Sequence, residues 1–139
     1  MDSAILRAEG WDCLQLSDFS NAAGPYWTRG VGADREVGII AESRHRNNHI
    51  GMVHGGALMT LADVALGLGV ADALGHTRCV TAELKLNFVA AGKVGAFISC
   101  RPELIRRTRH LIFMRGLLTA DGQIVSSADG IWKELAARE

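Results

Sequence analysis

Residues 48–63 hold the groups best suited to chemistry: Asn48, His54, Gly55 and Gly56, then a lone carboxylate, Asp63. A polar loop runs through two glycines into a long apolar stretch. Glycines at a helix start leave backbone N–H groups that a ligand can approach closely. Such donors stabilise negative charge developing on a carbonyl oxygen, and a nearby carboxylate can take a proton from water. Together they are the equipment for hydrolytic attack on a carbonyl.

The elements around them are legible by periodicity. Leu58, Leu61, Ala62, Ala65, Leu66, Gly69, Val70 and Ala73 recur at helical spacing, which predicts a helix over Gly55–Leu74 ended by Gly75. Its circumference is apolar nearly all round, so it is expected at the centre of the fold, buried on every side, and not in a membrane. Asp72, near its end, is expected to be solvated. Residues 37–42 read as a buried strand. In residues 80–88, Val80, Ala82, Leu84, Leu86 and Phe88 face one way and Thr81, Glu83, Lys85 and Asn87 the other. Residues 94–105 form a strand interrupted at Pro102, residues 106–109 a turn, and residues 110–119 and 123–135 a hairpin about Asp121-Gly122. The order is strand, central helix, then an antiparallel meander, an α+β fold with one long helix on a curved sheet.

Asp63 has Met59, Thr60, Leu66 and Gly67 as helical neighbours, none able to pair with a charge. It either hydrogen-bonds a loop or strand backbone, or it serves as a base. Gly55 and Asp63 are eight residues apart, about 12 Å along a helix. One carbonyl cannot touch both in one chain, so a shared reaction requires a homodimer with paired sites at its interface.

Composition narrows the alternatives. The chain has 139 residues, 48% hydrophobic and 22% charged, with zero formal net charge. That fits one globular domain over residues 1–139 and gives no global pull toward nucleic acid or membrane. Residues 1–35 carry Trp11, Phe19, Tyr26 and Trp27 and read as a cover over a core of residues 36–139. The start of the chain has no apolar leader, and Cys13, Cys79 and Cys100 form no C-x-x-C, as expected for free thiols in a cytoplasmic protein. His45, His49 and His54 match no common zinc spacing, so no metal is expected. Dinucleotide, P-loop and serine-elbow motifs are absent from the sequence. Arg101, Arg106, Arg107, Arg109 and Arg115 form the one basic cluster, either a solvated turn or a phosphate-binding patch.

The pattern N-x-x-G-x-x-H-G-G-x-x-x-x-L-x-D, from Asn48 to Asp63, resembles the signature of the PaaI-like hotdog-fold acyl-CoA thioesterases. Residues 80–88, Asp121-Gly122-Gln123 and Gly130-Ile131-Trp132-Lys133 resemble later parts of that family. Ala91-Gly92 departs from its usual proline-alanine pair, and Thr108 stands where it often has glycine. The resemblance implies a sheet wrapped around the helix, dimers with interface sites, and often a dimer of dimers. It implies hydrolysis of a small or medium acyl-CoA, aromatic or aliphatic, with no cofactor. Asp63 would be general base or nucleophile, and the Gly55 N–H would polarise the carbonyl. His54 and Asn48 would shape the pocket, and Thr81 would bond water or Asp63. Arg106 and Arg109 would take coenzyme A phosphates. A non-catalytic acyl-CoA-binding module and a hotdog dehydratase or hydratase are the alternatives.

Overall fold

The computed structural model describes residues 1–48 and 50–137. Its central helix, α3, spans Gly55–Leu74. His54 caps its start, and Gly75 ends it in the left-handed region at φ 79°, where only glycine is unstrained. Buried positions recur as Leu58, then Leu61 and Ala62, Ala65 and Leu66, Gly69 and Val70. That stripe packs on the sheet. The opposite flank is only half-buried in the single chain, which corrects the expectation of burial on every side. Part of that flank is covered by a short helix, α2 (Asp18–Ala23). Asp72 is not solvated either: Arg35 grips its two oxygens at 2.5 and 2.9 Å.

The strands are β1 (Asp12–Cys13), β2 (Tyr26–Arg29), β3 (Glu36–Ile40), β4 (Cys79–Phe88), β5 (Phe97–Cys100), β6 (Glu103–Arg107), β7 (Leu111–Ala120) and β8 (Gln123–Glu134). They form one antiparallel sheet in the order β1-β2-β3-β5-β7-β8-β4, with β6 also beside β7. The expected meander is therefore wrong in one respect. The strand that follows the helix pairs with the last strand, not the next. The reason is the helix itself, which crosses the sheet face and carries the chain from β3 to the far edge. Between β5 and β6 the chain breaks at Arg101 and Pro102, so the expected single strand is two. Residues 106 and 107, expected in a turn, complete β6. Asp121 and Gly122 make the hairpin turn with φ 50° and 75°, the geometry of a type I′ turn.

Two bulges decide which side chains face the helix. In β4 the register slips between Thr81 and Glu83, so Ala82 has no partner in β8. Before the slip Cys79 packs on the core, and after it Leu84 and Leu86 do, while Val80 and Phe88 stay exposed. Thr81, expected on the solvent side, consequently faces α3. A second slip lies at Ile105 in β6.

The N-terminal residues divide between the two faces of the sheet. A first helix, α1 (Ser3–Ala8), packs Leu6 with Trp11 and Trp27 in a small separate cluster. Ile40 joins that cluster while Ile39 belongs to the main core, so the two clusters lie on opposite sheet faces. Leu14 and Leu16 return to the helix side.

Pro102 fits against the missing side chain of Gly69, where a Cβ would stand 2.4 Å from Pro102 Cβ. Alanine favours a helix interior by up to about 1 kcal/mol over glycine. Overpacking a rigid neighbour costs about 1–3 kcal/mol. Gly69→Ala is therefore expected to destabilise the protein, lowering its urea midpoint at unchanged m-value.

Candidate functional site

Asp63 sits in the third turn of α3 and meets β4 at Thr81. Thr81 Oγ1 donates to Asp63 Oδ1 at 2.6 Å. Asp63 and Thr81 both line a recess of about 260 Å³. Leu16, Val64, Leu68 and Trp132 supply apolar lining around them, and Ser20 and Thr77 supply hydroxyls. The carboxylate is thus half-buried and partnered by a side chain, not by the loop or strand backbone that sequence left open.

The charge on Asp63 is felt around it. Burial pushes the Tyr26 phenol up to about 12, with Arg44 pulling it down and Asp63 pushing it further up. Burial, and then Asp63, raises the Cys79 thiol. Both groups stay protonated near neutrality. Cys13, Cys79 and Cys100 are all free thiols, and burial alone pushes Cys100 to about 12.

Gly55 is the first residue of α3, so its N–H has no acceptor within the helix. The Phe88 ring lies close over it, 3.3 Å from where a Cβ would stand. Gly55 lines a different recess from Asp63, together with Met52, Leu58, Phe88 and Gly92. His54 accepts the Gly56 N–H on Nδ1 at 2.8 Å. That fixes its proton on Nε2, free to donate outward. His54 lines a third recess with Phe19, Arg44, Arg46 and Thr60. Asn48 is exposed in the loop ahead of the helix. His49 lies outside the described residues. In one chain, then, Asp63 and Thr81 come together, and Gly55, His54 and Asn48 do not join them.

The spacing of the histidines presents His45 only as a candidate metal ligand, but its ring is engaged in hydrogen bonds. Its ring accepts the Glu42 N–H on Nδ1 at 2.9 Å and meets the Ala23 carbonyl with Nε2 at 2.7 Å. Its own carbonyl accepts the His54 N–H at 2.7 Å. It is a strut from α2 to the start of α3. Among the described residues no group of three His, Cys, Asp or Glu side chains is placed to hold a metal.

The basic cluster is mostly spoken for. Arg101 pairs with Glu36, Arg107 with Glu134 and Arg115 with Glu103. Arg106 and Arg109 are exposed and make no ion pair among the described residues. Neither lines a recess beside Asp63, Gly55 or His54. Leu16, Ser20 and Trp132, all on the Asp63 recess, were not singled out from sequence. Their signal is hidden because it depends on register and on how the N-terminal segment folds back.

The family model of the Thioesterase superfamily matches residues 50–127, a span that holds Gly55, Asp63 and Thr81. The chain belongs to the Thioesterase superfamily. A Pseudomonas aeruginosa relative in this setting, PA0474, carries a name that proposes an esterase. It is 29% identical over 126 residues, covering 89% of this chain and 94% of its own length. BH2602 from Bacillus halodurans, solved with coenzyme A, is 28% identical with a TM-score of 0.68, over 75% of this chain and 69% of its own. PaaI of E. coli, from the phenylacetic acid degradation operon, has a TM-score of 0.67 over 97% of this chain and 86% of its own. At 15% identity that likeness shows the fold alone. This superfamily member is thus a hotdog protein: one long helix laid against an antiparallel sheet, with PaaI among its structural neighbours.

Proposed function

We propose that this protein is an acyl-CoA thioesterase whose site is shared between two copies of the chain. The observation that carries the reading is the antiparallel run of α3 and β4. Asp63 meets Thr81 near one end of β4, and Gly55 meets Phe88 at the other. β4 is the last strand of the sheet, and its outer edge carries exposed Val80 and Phe88. Pairing that edge with its own copy, antiparallel about a two-fold axis near Leu84 and Lys85, sets Thr81 of one chain level with Phe88 of the other. Asp63 then faces the Gly55 N–H across the interface.

Asp63, steadied by Thr81, takes a proton from water as that water attacks the thioester carbon. The Gly55 N–H of the second copy receives the charge that develops on the carbonyl oxygen. The tetrahedral intermediate then expels the coenzyme A thiolate. Direct attack by the carboxylate is the covalent variant of the same geometry. The Nε2–H of His54 and the amide of Asn48 border the carbonyl from the Gly55 side. Arg106 and Arg109, exposed and without an ion pair among the described residues, are the arginines assigned to the phosphates. No cofactor or metal takes part. Three cysteines left as free thiols, Cys100 buried and Cys13 and Cys79 half-buried, fit a reducing, cytoplasmic setting.

The test is release of free thiol from a panel of aliphatic and aromatic acyl-CoAs by the purified protein. Turnover of at least one thioester, with stoichiometric acid, upholds the reading. Tight acyl-CoA binding with no turnover on any of them would instead mark a binding module.

A further inference from the structure

Two consecutive side chains hold the short helix α2 by its last carbonyls. Arg44 donates to the Ala22 carbonyl, and His45 reaches the Ala23 carbonyl with Nε2 at 2.7 Å. A helix end leaves such carbonyls without partners of its own. The two side chains differ in burial. Arg44 is exposed, whereas His45 is 7% exposed. His45 Nδ1 accepts the Glu42 N–H at 2.9 Å, so its proton sits on Nε2 and is donated to Ala23. With both nitrogens met, the buried ring keeps one tautomer and one orientation. No step of the hydrolysis uses it.

What His45 holds at its other end is the start of α3. Its carbonyl accepts the His54 N–H at 2.7 Å, next to a rung from the Asn47 N–H to the Met52 carbonyl at 2.8 Å. Gly55 and Gly56 follow His54 and bring no side chains to lock the helix start. The planar peptide that carries the Gly55 N–H is therefore fixed by its neighbours' bonds. On one side the His54 carbonyl accepts the Ala57 N–H at 2.9 Å, and on the other the His54 N–H is tied to His45. We propose that His45 is a positioning residue, acting through His54 to aim the Gly55 N–H at the thioester oxygen. This rests on the thioesterase reading above. A preorganised donor counts most for the charge of the transition state. It adds little to binding the neutral thioester, so a loosened donor lowers kcat and leaves KM.

The experiment measures kcat and KM on an acyl-CoA that the wild type cleaves. His45→Asn keeps an acceptor for the Glu42 N–H but no longer reaches Ala23. It is expected to lower kcat by about ten- to a hundredfold, up to the cost of a misplacement of about 1 Å, with KM within about twofold. His45→Gln carries its amide N–H out to the former Nε2 and should restore kcat to within about threefold of wild type. The deciding comparison repeats His45→Asn in a Gly55→Pro background. No N–H remains there to be aimed, so the added change should cost no more than about twofold. A loss equal in both backgrounds is general damage and overturns the role. So does unchanged kcat in His45→Asn, or a glutamine variant no better than the asparagine one. If His45→Asn does not fold, His45→Gln decides alone: a tenfold loss of kcat in it overturns the role, and near-wild-type turnover upholds it. If the wild type cleaves no thioester, the hydrolase reading fails by itself. Amide hydrogen exchange then judges the anchoring of the helix start. Exchange at the His54 N–H about tenfold faster in His45→Asn, and not in His45→Gln, upholds it. Equal exchange in all three proteins overturns it.

Discussion

Asp63→Asn is expected to lower kcat by about 10²- to 10⁴-fold, the range for loss of a general base, with KM and melting temperature little changed. The substitution keeps the size and shape of the side chain. Its amide oxygen can still accept from Thr81 Oγ1, the bond measured at 2.6 Å in the wild-type geometry. What disappears is the capacity to take a proton from water. Thr81→Val is expected to do less harm, because it removes only the group that aims the carboxylate. It should reduce kcat by about tenfold, on the scale of one hydrogen bond. The readings are thiol release at saturating acyl-CoA and a thermal melt of each variant. An asparagine variant that kept more than a tenth of wild-type turnover would show that Asp63 is not the base, whatever else the recess does.

Why Asp63 could be singled out from sequence, and Trp132 could not, is a matter of what each signal depends on. Residue type and helical spacing are local. Asp63 is a carboxylate in an apolar helix, and the glycines at residues 55, 56 and 75 mark that helix's two ends. These follow from backbone chemistry that tertiary packing does not alter. The Asp121-Gly122 turn is local in the same way. Register is not local. The slip at Ala82 turns Thr81 from the solvent side to the helix side, and strict alternation had placed it on the wrong face. The exchange of partners that sets β4 beside β8 depends on the whole crossover of α3. Trp132 reaches the recess only because both features hold at once. The N-terminal residues were the least legible for a related reason. They carry no long periodic element, and they split between the two faces of the sheet, so no single amphipathic pattern runs through them. The histidine strut at His45 is formed by contacts across 22 residues to Ala23, and nothing in the spacing of the histidines announces it.

Gly55→Pro is expected to cut kcat by about 10²- to 10³-fold, the cost of losing one oxyanion donor, while the helix survives. Proline removes the N–H and little else at this position. The first residue of a helix tolerates it, since that N–H has no partner in the helix and the ring's φ is already helical. The residue before a proline must be extended, and His54 already is, with φ −61° and ψ 137°. The ring has to displace Phe88 slightly, since even a Cβ would stand 3.3 Å from it. That strain is a stability effect, separable by the thermal melt from a loss of turnover. The stronger result comes from combining this variant with Asp63→Asn. If each site takes its carboxylate from one chain and its N–H donor from the other, a mixed dimer has one site with both defects and one with neither. Unfolding and refolding the two inactive proteins together at equal amounts makes half the dimers mixed, each with one intact site of two. Activity should return to about a quarter of wild type. Sites built within single chains would each retain one defect in every dimer, and the mixture would stay as inactive as its components. Because neither protein alone supplies that quarter, its appearance can only reflect sites assembled across the interface, and its absence in a mixture shown to exchange subunits would place both groups in one chain.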